Sequence, residues 1–185
     1  MSSQITLDMP KGADTESFPV IDLGDFFRGE QLSDETRGGL MAKVPKILQT
    51  HIDTAFPANV CLVGSVLPNG FAQVSPRGST MVFDDTHIGL WERGKGSTSG
   101  NLVDGTPLTV YFRKPQLREE GILPKGGIAR FYGRARIHKS GPIYEEVWRR
   151  LVQPEKDRDP QKSGFAVLIE IERAEDLDGQ PLALD

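Results

Sequence analysis

Cysteine occurs once in this 185-residue chain, at Cys61. No intrachain disulfide can form, which fits a reducing compartment. Cys61 lies in the apolar run Asn59-Val60-Cys61-Leu62-Val63-Gly64, so a buried, inert thiol is expected rather than a nucleophile. Histidine occurs only at His51, His87 and His138, and no His/Cys/Asp spacing suggests a metal site. Long apolar runs are missing too. The longest, around residues 60–67, is far short of the ~20 residues a membrane helix needs. The N-terminus lacks a basic segment followed by an apolar core, so no secretory signal is read and a cytoplasmic location is expected. Excess positive charge is absent: 22 Lys and Arg stand against 26 Asp and Glu, which argues against a nucleic-acid binder. Three catalytic signatures are also missing. There is no Gly-x-Ser-x-Gly elbow for a hydrolase, no Walker-type phosphate loop, and no GxGxxG after a strand.

What is present is uneven in charge and rich in short strands. Between Glu92 and Lys139 ten Lys or Arg face four Asp or Glu, a balance suited to a small anionic ligand. Residues 1–33 read as an N-terminal extension, and residues 34–185 as one domain. Ser33 is a candidate N-cap for a helix over 34–50, with Leu40, Met41, Val44, Ile47 and Leu48 at helical spacing. Pro45 leaves open two shorter helices instead.

After Ala58 the pattern turns to strands. Residues 60–67 and 71–75 flank the turn Pro68-Asn69-Gly70 and form a hairpin. Residues 80–83 and 87–91 pair about Asp84-Asp85, and 108–112 is the next strand. Residues 113–126 read as a long loop, suited to a substrate lid or a dimer contact. In residues 128–139 small apolar side chains alternate with Arg130, Tyr132, Arg134, Arg136 and His138, the pattern of a half-buried barrel strand. A helix over 142–152 carries Tyr144 and Trp148 on its apolar stripe, and 165–172 is the last strand. Many short strands with few helices argue for a closed or nearly closed barrel.

Two segments carry candidate chemistry. In Val74-Ser75-Pro76-Arg77-Gly78-Ser79 a strand ends. Pro76 stops the ladder, Gly78 permits close backbone approach, the hydroxyls of Ser75 and Ser79 can donate, and the Arg77 fork matches phosphate oxygens. The second runs from Trp91 through Arg93, Gly94, Lys95, Gly96, Ser97, Thr98, Ser99 and Gly100 to Asn101-Leu102. Glycines, hydroxyls, two cations and an approaching helix N-terminus are the parts of a phosphate site. Each segment alone is as readily a structural turn or a surface loop. If the two meet in space, the phosphate reading is the better one.

The order of these segments, over about residues 56–171, resembles the pyridoxamine 5′-phosphate oxidase-like, FMN-binding split-barrel superfamily. The points of resemblance are the Leu67-Pro68-Asn69-Gly70 turn, Val74-Ser75-Pro76 with Arg77-Gly78, the Lys95-to-Leu102 stretch, Gly133-Arg134-Ala135, and the aromatic helix after it. One position departs: many relatives carry Lys or Arg three residues before the Asn-Leu pair, where this chain has Thr98. The resemblance implies a mainly β split barrel with flanking helices. It implies a homodimer holding FMN between subunits, with a deazaflavin or haem as lesser alternatives. Ser75, Arg77, Gly78, Ser79, Arg93, Lys95, Ser97, Thr98 and Asn101 would then hold the cofactor. The implied activity is FMN-dependent oxidation or reduction of a small molecule, with no nucleic-acid or membrane partner. A non-catalytic flavin or haem carrier on the same barrel is the alternative.

Overall fold

A computed structural model describes residues 42–95 and 100–182 of the chain. The extension, residues 1–33, lies outside the described residues. Seven strands form one sheet: β1 (Cys61–Val66), β2 (Ala72–Arg77), β3 (Met81–Val82), β4 (His87–Glu92), β5 (Pro107–Arg113), β6 (Ile128–His138) and β7 (Phe165–Glu175). Their order is β2-β1-β5-β6-β7-β4-β3, and every pairing is antiparallel. The helices that lie wholly among the described residues are α1 (Lys46–Asp53), α2 (Gln116–Glu119), α3 (Pro142–Arg150) and α4 (Gln153–Asp157).

The topology forces the sheet to curl. β2 and β3 are its opposite edges, yet only Gly78, Ser79 and Thr80 separate them in the chain. In a flat seven-stranded sheet the edges would lie about 29 Å apart. Four peptide steps reach at most about 14 Å. The two edges are therefore brought round toward each other, and the sheet becomes a barrel with a seam at this corner.

Alternation fills the interior. Cys61 and Val63, Leu108, Val110 and Phe112, Ala129, Phe131 and Ala135, Ile88 and Leu90, and Val167, Ile169 and Ile171 form one buried cluster. Burial pushes the Cys61 thiol up to about 12, the inert cysteine that its apolar run implies. Helix α1 joins this core through Leu48 and Ile52. It begins only after Pro45, so residues 42–45 are not helical. Pro45 can stand ahead of a helix but not inside one without a broken bond. Residues 34–41 of the expected helix lie outside the described residues.

The segment 113–126 is more ordered than a loop. It contains α2 and a 3-10 turn at Lys125–Gly127. Leu117 and Leu123 are buried in the barrel core, and the Lys114 amide donates to the Gly127 carbonyl at 2.9 Å. Two buried leucines anchor it as part of the wall. Helix α3 covers the other side of the sheet, where Val147 and Leu151 pack on Met81, Trp91, Ala166 and Leu168. Tyr144 and Trp148 tilt onto Trp91 at centroid distances of 5.0 and 4.9 Å, so both aromatics serve packing.

Strand β7 runs three residues beyond the expected end, through a bulge. Tyr132 pairs with Arg173 but Gly133 pairs with Ile171, which leaves Glu172 as the extra residue. The inward series Val167, Ile169, Ile171 therefore resumes at Ala174. Gly133 is required here: a Cβ would lie 2.1 Å from the Glu170 carbonyl oxygen.

The turn after α4 is held by one carboxylate. Asp159 accepts from the Trp91 indole at 2.9 Å, from the Ser163 amide and hydroxyl at 3.0 and 2.7 Å, and from the Gly164 amide at 2.8 Å. Burial alone would raise its pKa. The four donors outweigh burial and bring it down to about 2. A carboxyl depressed in the folded state stabilises the fold above its unfolded value, near 3.9, and loses that contribution as pH falls to the folded value. Urea titrations should therefore show stability lost between about pH 4 and pH 2. Asp159→Asn should flatten that dependence and lower stability at pH 7 by about 1.5–3 kcal/mol, the scale of hydrogen bonds to a charged group.

Candidate functional site

The first candidate segment meets the beginning of the second, Trp91 to Arg93, at the barrel seam. β2 points Gln73, Ser75 and Arg77 to the face it shares with Ser65, Val63 and Cys61. β4 points Glu92 to the same interior as Ile88 and Leu90, because the three alternate along the strand. There Arg77 Nη2 meets Glu92 Oε2 at 2.8 Å, with the carboxylate 1% exposed and the arginine side chain 14% exposed. One residue on, Glu92 Oε1 accepts from the Arg93 amide at 3.0 Å. The Ser79 hydroxyl donates to the Trp91 carbonyl and accepts from the Trp91 amide, both at 3.2 Å. The corner after β2 is thus stitched to the end of β4, and the Arg93-Gly94-Lys95 run leaves the barrel beside it.

The chain itself uses three of the candidate residues. Ser79 has one hydroxyl hydrogen, and it goes to Trp91, so the side chain has none left for a phosphate. Gly78 does permit a close approach, but of the chain's own groups. A Cβ there would lie 2.7 Å from Glu155 Oε1 and 2.9 Å from the Phe56 ring. Arg77 has its charge answered by Glu92, while its Nε is buried without a hydrogen-bond partner among the described residues. Ser75 is half-buried on β2, Arg93 is half-buried and Lys95 exposed. Gly100 and Asn101 are helical, as expected after the Gly/Ser stretch. Ser97 and Thr98 lie outside the described residues.

A second feature was not legible as a site from the sequence. The outer face of β2, β1, β5 and β6 forms an open groove of about 620 Å³, within the usual range for small-molecule sites. Its walls are largely apolar, with Leu62, Val66, Ala72, Val74 and Pro107. Its polar lining comes from Ser65, Gln73, Thr109, Tyr111, Tyr132 and Glu172. Tyr132 donates to Glu175 at 2.7 Å, and the Arg173 guanidinium covers its ring at 4.2 Å. Burial, followed by the bond to Glu175, raises the Tyr132 phenol above its ordinary value and keeps it protonated. At the rim of the groove, Val66, Val74 and the neighbouring Phe71 are 69%, 61% and 72% exposed, an apolar patch of the kind that marks an interaction site.

Comparison with known proteins identifies the fold. No protein-family model matches the chain, and no curated protein matches it. Solved structures do. HupZ from Group A Streptococcus superposes with a TM-score of 0.55 at 20% identity, over 76% of this chain and 98% of that one. A protein of Lactobacillus delbrueckii, described as a candidate pyridoxamine 5′-phosphate oxidase, superposes with a TM-score of 0.51 at 20% identity, over 72% and 94%. The chain therefore has the split β-barrel fold of the pyridoxamine 5′-phosphate oxidase-like proteins, mainly β with flanking helices. At these identities the likeness is one of fold, since one scaffold hosts many functions.

The seam gives a direct test. Arg77→Ala would remove the charged partner of Glu92 in the barrel interior and should lower stability, by at most the ~3–5 kcal/mol that breaking a buried pair costs. The double variant Arg77→Met/Glu92→Leu should recover most of that loss in urea unfolding. A single variant as stable as the parent would mean that the pair does not hold the seam.

Proposed function

We propose that this chain is an FMN-dependent oxidoreductase acting on a small molecule, working as a homodimer with the flavin between subunits. The observation that carries the proposal is the stitched seam, which joins the Ser75–Arg77 strand end to the segment bearing Arg93 and Lys95. The residues present fit the cofactor. At this corner the Nε of Arg77 is a buried donor without a partner among the described residues, and a buried donor left unpaired is costly. Glu92 answers the charge of Arg77, and Arg93 and Lys95 are the further cations that the segment after β4 brings to a phosphate. Ser75, Ser97, Thr98 and Asn101 complete the set as hydrogen-bonding groups, with Gly78 and Ser79 shaping the corner. The open groove on the outer face of β2, β1, β5 and β6 is a separate, largely apolar surface suited to a flat ring.

Bound FMN would supply the hydride and electron chemistry, and the protein supplies position and electrostatics. Among the described residues the groove is lined by one carboxylate and by no His, Cys or Lys, so turnover would rest on the cofactor. That same poverty favours the second reading, a flavin carrier without turnover. Haem has weaker support, because Tyr111 and Tyr132 are the only lining side chains of a type that ligates haem.

Purified protein should show a flavin spectrum, or acquire one on titration with FMN. Arg93→Ala/Lys95→Ala should weaken FMN by about tenfold or more, the scale of a charge-assisted bond. A colourless chain that takes up no FMN would remove the proposal. Bleaching of bound flavin by a nicotinamide under anaerobic conditions separates enzyme from carrier. Light scattering should give the mass of a dimer, and Val66→Asp/Phe71→Asp should shift it to monomer. A parent chain that is monomeric at all concentrations would exclude the shared site.

A further inference from the structure

On the outer face of β2, β1, β5 and β6 the register lays the side chains out as a grid, and its centre is bare. Val74, Gly64, Thr109 and Tyr132 stand side by side in one row across the four strands. Along β1, Leu62 and Val66 flank Gly64 on the same face. Gly64 is therefore the floor of the groove, and the residues around it are its walls. Strand geometry puts Val74 and Thr109 about 10 Å apart across that floor, and Leu62 and Val66 about 14 Å apart along it.

The packing of the described residues does not require this glycine. Glycine weakens a strand interior, where it marks a bulge, a bend or a close approach. Gly64 pairs with Val74 and Thr109 in unbroken register, so there is no bulge. Its φ is not in the left-handed region. A Cβ on Gly64 would meet its nearest atoms, the Gln73 and Thr109 carbonyl oxygens, at 3.8 Å, an ordinary contact. Gly133 is the contrast, because its Cβ would lie 2.1 Å from the Glu170 carbonyl oxygen. The chain's own backbone explains Gly133. For Gly64 there remains a close approach from outside the chain.

The walls say what can approach. The groove is about 620 Å³, the size of a small-molecule site. The hydroxyls of Thr109 and Tyr111 line it without a hydrogen-bond partner among the described residues. Tyr132 donates its proton to Glu175 at 2.7 Å and keeps an oxygen that can accept. Glu172 is the one ionised side chain in the lining, and Arg134 already answers it at 2.8 Å. Farther out, Arg130 and Arg173 share Glu175 at 3.3 and 3.5 Å. An ionised ligand group would give up water here and find no unpaired counter-charge in the lining.

We infer that the groove binds an uncharged, flat ligand of about two fused rings, bearing a carbonyl or hydroxyl group and laid over Gly64. The ring rests on the bare floor between Leu62, Val66 and Val74. Its polar group meets the hydroxyl of Thr109 or Tyr111. This site is distinct from the seam, where Arg77 and Glu92 meet inside the barrel, and it does not rest on the flavin proposed there.

Three probes with one ring system test it on the full-length chain, by calorimetry and ligand-observed NMR. They are 2-acetylnaphthalene, which is uncharged, the anion 2-naphthoate, and the cation 2-naphthylmethylammonium. The uncharged probe should bind about tenfold or more tightly than either ion, since an ion is buried only at a cost that a neutral group escapes. Gly64→Val should weaken the uncharged probe by about tenfold or more, because its methyl groups fill the floor. Gly64→Ala should fold with a urea midpoint at or above that of the parent, whereas Gly133→Ala should lower it. No binding of the uncharged probe, equal binding of an ion, or an undiminished affinity in a Gly64→Val chain that keeps the parent's circular dichroism would each overturn the inference. So would a lowered midpoint in Gly64→Ala, which would make the glycine a structural requirement. If the parent takes up no probe and Gly64→Val turns a dimer into a monomer by light scattering, the groove is a contact between copies and the ligand site is refuted.

Discussion

The ion pair between Arg77 and Glu92, with the Ser79–Trp91 hydrogen bonds beside it, sits where the two edges of one sheet must meet. A short link from β2 to β3 dictates that meeting, but a link alone fixes no register. The serine hydroxyl fixes it by serving both the amide and the carbonyl of Trp91, in place of a ladder that the corner interrupts. The ion pair then ties the interior face of β2 to that of β4. A buried pair of this kind adds little net stability compared with well-packed apolar groups, but breaking one half of it is severe. Its effect is to make the seam all-or-none. Arg93 follows directly from Glu92, and its amide donates back to Glu92 Oε1 at 3.0 Å.

The same strands carry a second surface on their other side. β1 alternates Cys61 and Val63 inward with Leu62, Gly64 and Val66 outward, and β5 alternates Leu108, Val110 and Phe112 with Pro107, Thr109 and Tyr111. Helix α3 covers the outer face only over β3, β4 and β7. Over β2, β1, β5 and β6 that face remains open, as the groove and its exposed apolar rim. A sheet with one helix-covered half and one bare apolar half has a surface that asks for a ligand, a second chain, or both.

Much of this was legible in residue order. The Pro68-Asn69-Gly70 turn, the Asp84-Asp85 turn and the alternation in β6 locate three pairings, because turn chemistry and period-two patterning are local signals. The meeting of the two candidate segments was stated as a condition; the seam brings the first to the beginning of the second, at Trp91 and Glu92, and residues 96–99 lie outside the described residues. What escaped was non-local. Nothing in the chain order says that Ser79 answers Trp91 or that Arg77 answers Glu92, so both read as ligand-binding groups. The end of β7 was set at Glu172 because Glu172 and Arg173 are consecutive polar residues. A bulge produces the same break in alternation as a strand end, and only the pairing of Ala174 with Phe131 tells them apart. The 113–126 segment read as a free loop because its anchors, Leu117 and Leu123, are too few and too spaced to show a period. The groove is a property of four strands side by side, and no single strand displays it.

The basic middle of the chain shows why a count of charges is a weak guide to an anion site. The β6 arginines look like a positive stripe in the sequence. In the sheet, β7 lies alongside and answers them: Arg136 with Glu170 at 2.9 Å, Arg134 with Glu172 at 2.8 Å, Arg130 with Glu175 at 3.3 Å. The two more exposed of these pairs, at Arg136 and Arg134, contribute little stability each. Their larger consequence is electrostatic, because they cancel the stripe's field over the outer face. Cancellation there leaves the outer face without the positive field that the chain order suggests. The arginines of β6 are used in cross-strand pairing with β7, so an anion finds no surplus of charge on that strand.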